Sequence, residues 1–114
     1  MIINIEDLTA PAPYGTAYDF NTEGGTSDVV KGTAVTDFVV SKKTANRIFV
    51  AHGHFSILDI SDHNAITVTG EQQNTPCEYL AVNSAETRAY CSSSNKLYTI
   101  DISSPATPNE IGTA

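Results

Sequence analysis

Arg47-Ile-Phe-Val-Ala51, followed after a short polar turn by Ile57-Leu-Asp-Ile-Ser61, returns as Arg88-Ala-Tyr-Cys-Ser92 and Thr99-Ile-Asp-Ile-Ser103. The copies stand 41 residues apart at Arg47 and Arg88 and 42 apart at Leu58 and Ile100, so one extra residue sits in the second turn. Upstream, Thr36-Asp-Phe-Val-Val-Ser41 aligns with Cys77-Glu-Tyr-Leu-Ala-Val82 at an offset of 41. A period of about forty residues holding several short apolar runs is the spacing of four-stranded propeller blades, not of a plain sandwich.

Working outward from that repeat, only strands emerge. Asp37–Val40, Ile48–Ala51, Ser56–Ile60 and Ile66–Thr69 make one blade; Glu78–Val82, Ala89–Cys91, Leu97–Ile102 and Glu110–Gly112 make the next. Their apolar runs are nearly continuous, as in strands covered on both faces, and no segment carries a sustained helical period. The expected fold class is therefore all-β, with two four-stranded antiparallel blades.

The chain ends add a third copy. Ile3-Asn-Ile-Glu6, Pro11 and Tyr14-Gly-Thr-Ala17 match Ile100-Asp-Ile-Ser103, Pro108 and Ile111-Gly-Thr-Ala114 at an offset of 97. This predicts the last two strands of a preceding blade, so that the chain begins halfway through one. The expected division is a half blade over 1–17, an inserted loop over 18–32, and blades over 33–71 and 72–114, forming a single incomplete propeller domain.

Composition narrows the function. Apolar residues at 40% support a core, and charged residues at 17% fall below the usual quarter, which argues against disorder. Six basic against thirteen acidic residues give a net charge of −7, which disfavours nucleic acid and anionic membrane surfaces. Lys42-Lys43 reads as a solvated hairpin tip. No apolar run reaches the ~18 residues of a membrane helix, so direct membrane insertion is not expected, and the N-terminus lacks the pattern of a secretion signal.

Leu58-Asp-Ile-Ser-Asp62 and Ile100-Asp-Ile-Ser-Ser-Pro105-Ala-Thr-Pro108, followed by Gly70 and Gly112, resemble the LVIVD repeat. Sequences of that family read Val-Ile-Asp-Val-Ser-Asp-Pro, then Pro, then Gly. A partial copy lies at Ile3–Ala17 and full copies near Asp37–Gly70 and Glu78–Gly112; Asn4 and Glu6 replace the usual Asp and Ser, and His63 stands where Pro is expected. The resemblance implies a β-propeller, often in cell-surface or secreted proteins, without catalytic residues in the repeat itself.

Because Asp59 and Asp101 recur, they are expected to accept backbone N–H bonds and route the third strand into the fourth. Burial of those bonds would make Asp59→Ala cost ~1–3 kcal/mol. Gly15, Gly70 and Gly112 are expected to relieve crowding on the outer strand. Cys91 is placed opposite Leu80, which puts Cys77 three residues along the ladder, roughly 10 Å away at ~3.3 Å per residue, and predicts two reduced thiols.

Features that do not repeat are the candidates for function. His52 and His54 flank Gly53 in a turn whose later counterpart is serine and asparagine; residues two apart on an extended chain share a side, so both rings could meet one metal. The default reading is a solvent-exposed turn. Asp19, Asn21, Glu23 and Asp28 suggest an oxygen-rich calcium loop, but Val30 occupies the place of its bidentate carboxylate. Asp37 and Glu78 are read as equivalent residues at the mouth of the central channel, where an acidic ring could bind a cation or basic peptide.

The expected function is a non-catalytic binding or interaction scaffold, with no cofactor, in a cell-surface or secreted protein. Partners are other proteins or the remaining blades, with self-association available because blade faces carrying Phe38, Ile48, Val50, Leu80 and Tyr90 would stand open. The alternatives are part of a propeller enzyme with its site at the channel mouth, using His52, His54, Asp37 or Glu78, and a metal-binding module.

Overall fold

The computed structural model describes residues 3–4, 12–13 and 34–114, the first two stretches by their backbone pairing alone. Strands β3 (Asp37–Val40), β4 (Arg47–Ala51), β5 (Gly53–Asp59) and β6 (Thr67–Cys77) form one antiparallel sheet in that order. Strands β7 (Tyr79–Val82), β8 (Arg88–Ser93), β9 (Lys96–Asp101) and β10 (Asn109–Thr113) form a second sheet of the same topology. Each sheet is a meander of neighbouring strands, the architecture of a propeller blade.

Near the N-terminus, β1 (Ile3–Asn4) pairs with β2 (Ala12–Pro13). The partners Ile3↔Pro13 and Asn4↔Ala12 reproduce Ile100↔Glu110 and Asp101↔Asn109 at the offset of 97. The pairing of these residues is thus that of the third and fourth strands of a blade. The inserted loop, with Asp19, Asn21, Glu23 and Asp28, lies outside the described residues.

Local chemistry sets the turns. Ser94 and Asn95 both take positive φ (52° and 74°) between the paired Ser93 and Lys96, giving the two-residue hairpin whose twist suits its strands. In the first sheet, Gly53 at φ 87° reverses the chain between the paired Ala51 and Phe55. After β5 and β9 the same turn recurs: Ala65 N donates to Asp62 O and Thr107 N to Ser104 O, both at 2.9 Å.

Cross-strand partners share a face, which separates two sides of each sheet. Phe49, Ala51, Phe55 and Ile57 form the trailing face of the first sheet, with Val39 beside them; Leu80, Ala89, Cys91 and Ile100 form the leading face of the second. These two faces make one continuous core, in which Ile57 and Ile100 are fully buried. Val50 and Leu58, flanked by Ile48, Ile60, Ile66 and Val68, belong to the leading face of the first sheet.

The register corrects two expectations. Phe38 pairs with Val50 whereas Leu80 pairs with Cys91, so the innermost strands correspond at an offset of 42, and Asp37 matches Tyr79 rather than Glu78. The shorter turn after β7, Asn83–Thr87 against Ser41–Asn46, restores 41 at the next strand. Secondly, the fourth strand, expected over Ile66–Thr69, runs on as β6 through Glu71–Pro76 to Cys77.

That extension also overturns the prediction of reduced thiols. Cys91 does pair with Leu80, but Cys77 is not on that ladder: it ends β6 opposite Gly53, and the chain turns at Glu78. The bend brings the two Cα atoms to 4.8 Å, and Cys77 and Cys91 form a disulfide joining β6 of one blade to β8 of the next. Both cysteines are fully buried.

Candidate functional site

Polar contacts cross the interface between the two sheets at several points. Asp37 opens β3 on the trailing face; its Oδ1 accepts from Phe38 N at 2.9 Å and its Oδ2 from Leu80 N across the interface at 2.8 Å. Beside it, Thr36 Oγ1 donates to Glu78 O at 2.6 Å. Glu86 lies in the turn after β7: its Oε1 accepts from Ser41 Oγ at 2.6 Å and its Oε2 from Lys42 N at 2.8 Å and Lys43 N at 3.3 Å. The Lys42-Lys43 tip is therefore held through its backbone by a carboxylate of the next blade.

Gly70 explains how closely the blades approach. It pairs with Ile57 on the trailing face, and a Cβ built there would overlap the Pro105 carbonyl oxygen and lie 2.9 Å from Pro108 Cδ. The loop Ser103–Pro108 thus seats on a position that only glycine leaves open. Gln72 Nε2 donates to Pro108 O at 3.2 Å, and Thr75 Oγ1 donates to Glu110 Oε1 at 2.7 Å, extending the seam along β6. The crowding expected at Gly70 is real, but its source is the next blade's loop rather than its own sheet.

Asp59 and Asp101 do what the repeat suggested. Asp59 Oδ1 accepts from Ser61 N at 2.8 Å, and Asp101 Oδ1 from Ser103 N at 2.9 Å and Ser103 Oγ at 2.6 Å. The serine hydroxyl, then its amide, holds each carboxyl below the ordinary carboxylate range. Arg88 Nη1 adds an ion pair to Asp101 at 3.7 Å, in a solvated setting where such pairs stabilise little. Because these carboxylates face water, the 1–3 kcal/mol expected for buried bonds does not apply.

The His52 turn is not the solvent-exposed turn expected. His52 is fully buried, and its Nε2 lies 2.7 Å from the Oγ of buried Ser56. Burial, reinforced by repulsion from His54, lowers the His52 pKa to about 4. Burial also lowers that of His54. Among the described residues, no group of three His, Cys, Asp or Glu side chains is placed to hold a metal ion. A Ser–His pair at hydrogen-bond distance is chemically a nucleophile and base, but Ser56 and His52 are both closed off from substrate. Sequence reading missed Ser56 because the link from His52 runs across the turn, with no motif spacing to announce it.

Glu78 has different work from Asp37. Its N–H donates to Ser92 O, its Oε1 accepts from Ser93 Oγ at 3.2 Å, and it borders a cavity of about 340 Å³ with Tyr79, Ser92–Leu97 and Ala114. The two acidic residues do not form a pair of equivalents.

The LVIVD repeat model matches residues 87–114, the span from the end of the β7–β8 turn through β10. That segment is similar to the LVIVD repeat. No curated protein and no solved structure matches the chain. In the LVIVD repeat matched here, the Asp-Ile-Ser segment ties down its own turn, and the Pro-bearing loop docks on the preceding blade.

Proposed function

We propose that the chain is a non-catalytic β-propeller module whose work is to present blade surfaces to other proteins or to further blades. The observation that carries this reading is the structural use of these residues: the recurring Asp59 and Asp101 fix turns, Gly70 accepts a neighbouring loop, and the non-recurring Asp37 and Glu86 bridge the two sheets. The LVIVD repeat match supports the same reading. Function on such a scaffold lies in its surfaces rather than in the fold. A buried inter-blade disulfide fits an oxidising compartment, and with it a secreted or cell-surface setting.

The test is a screen of the full chain against ester, glycoside and redox substrates, with calorimetric titration of calcium and zinc. The reading expects neither turnover nor stoichiometric metal uptake. Turnover abolished by Ser56→Ala at unchanged melting temperature would establish an enzyme instead, and tight metal binding lost in His54→Ala would establish a metal module.

A further inference from the structure

The two sheets treat one corresponding place differently. On the trailing face of the first sheet, Thr36, Asp37, Ala51 and Phe55 lie together, and the chain itself runs over them. Thr36 Oγ1 donates to Glu78 O at 2.6 Å, Asp37 Oδ2 accepts from Leu80 N at 2.8 Å, and Ala51 and Phe55 share a core with Cys77 and Leu80. The register puts Glu78, Tyr79, Ser92 and Leu97 at the matching positions of the second sheet. Tyr79 pairs with Ser92 and Ser92 with Leu97, as Asp37 pairs with Ala51 and Ala51 with Phe55. The strand entrance is the same too: Thr36 N donates to Ala51 O, and Glu78 N to Ser92 O. These four residues border the cavity of about 340 Å³; Ala51 and Phe55 are fully buried, whereas Tyr79 and Leu97 are 65% and 46% exposed.

We infer that this cavity is a docking groove for an extended peptide of a partner protein, which it takes as the first sheet takes Glu78–Leu80. The peptide main chain runs along Glu78 and Tyr79, with an apolar side chain on Leu97. This rests on the propeller-module reading and names where, and with what chemistry, a partner is received.

Three observations support a peptide as occupant. First, the occupied counterpart holds its segment through main-chain groups, a mode of recognition open to any extended chain. The second sheet keeps the groups this needs: the Glu78 carboxylate accepts from an N–H, and the Tyr79 and Ser92 hydroxyls donate to a carbonyl. Secondly, the size fits. Leu97 replaces the larger Phe55, and about 340 Å³ lies at the lower end of the ~300–1,000 Å³ of ligand sites, which suits a short segment rather than the face of a folded domain. Thirdly, the groove is continuous with the established seam, because Glu78 gives its carbonyl to Thr36 there while its side chain borders the cavity. With a net charge of −7, the chain favours a basic peptide.

Fluorescence anisotropy of two labelled peptides, titrated with the full chain, tests this. One has the sequence of residues 74–82 with Cys77→Ser, the segment that fills the counterpart in the first sheet; the other adds Glu78→Lys, which sets a base near the carboxylate of the protein. Both are expected to bind, the lysine-bearing one about threefold more tightly at low salt. In the protein, Glu78→Gln should erase that difference. Leu97→Asp should weaken both peptides by about tenfold while the circular dichroism spectrum and melting temperature stay those of the wild type. Failure of both peptides to bind, or an affinity that survives Leu97→Asp, would overturn the inference. A mass above monomer in light scattering that Leu97→Asp abolishes and neither peptide reverses would overturn it in favour of a second copy. Should Leu97→Asp lose its fold, Tyr79→Ser replaces it in the same titration. Absence of peptide binding would leave the propeller-module reading standing, since that reading fails on turnover or metal uptake.

Discussion

At the scale of single residues, the chain turns on where its few titratable groups sit. His52 is neutral and buried against Ser56, with a pKa near 4 against the ordinary 6.5. Its folded pKa is depressed, so the unfolded chain binds the proton first: the stabilisation is complete above pH ~6.5 and is lost as pH falls toward 4. Over that window it amounts to at most ~3 kcal/mol. Urea midpoints measured at pH 7, 5.5 and 4.5 should fall steadily in the wild type and change less in His52→Gln; equal slopes would remove His52 as the cause. Asp59 and Asp101 act lower on the scale, their contribution being present above the ordinary carboxylate pKa and lost only below it. Both aspartates were legible from their recurrence, because a residue repeated in both full copies must serve what the two share. His52 was legible as an exception to the repeat, but its burial was not, since a turn rich in His and Gly reads as solvated until its surroundings are known.

At the scale of elements, β6 is the strand that joins the blades. It carries Gly70 under the Pro105 loop, Gln72 against Pro108, Thr75 against Glu110, and Cys77 bonded to Cys91. Gly70→Val should separate the loop from the strand and lower stability by ~2–4 kcal/mol, the range of an overpacked core site and above, whereas Gly112→Val should not. Denaturant melts of the two variants side by side would expose any error, because the sequence places both glycines in the same repeat position. The disulfide spans 14 residues, and for a loop of that length its removal is expected to cost about 3 kcal/mol. Melting with and without reductant measures this; Cys77→Ser in oxidising buffer should match the reduced wild type. Cys91→Val with Cys77→Ala tests the companion point, since Val50 fills the slot equivalent to Cys91 and shows that the strand accepts a plain hydrophobe there.

At the scale of the whole molecule, the stability of blades accrues through neighbours, and the first sheet is buried on both faces of its central strands. Leu80, expected to stand open, is covered by the first sheet, and Val50 is buried as well; among the described residues Val35, Phe38, Val40, Tyr79, Leu97 and Ile111 are the large apolar side chains that remain outside. If copies associate through these residues, the melting temperature of the wild type should rise with chain concentration while that of Phe38→Lys stays constant. Calorimetry at a low and a high protein concentration distinguishes the two cases. The sequence alone determined the strand content, the four-strand period, the pairing of Ile3–Asn4 with Ala12–Pro13 and the turn-building aspartates, because each is written in local spacing and in comparison of one copy with the next. Tertiary structure alone decided the offset of 42 that separates Asp37 from Glu78, the disulfide across the seam and the burial of His52. These depend on where the chain bends between blades, and a bend at Glu78 moves Cys77 from one sheet to another without altering any local pattern that a sequence displays.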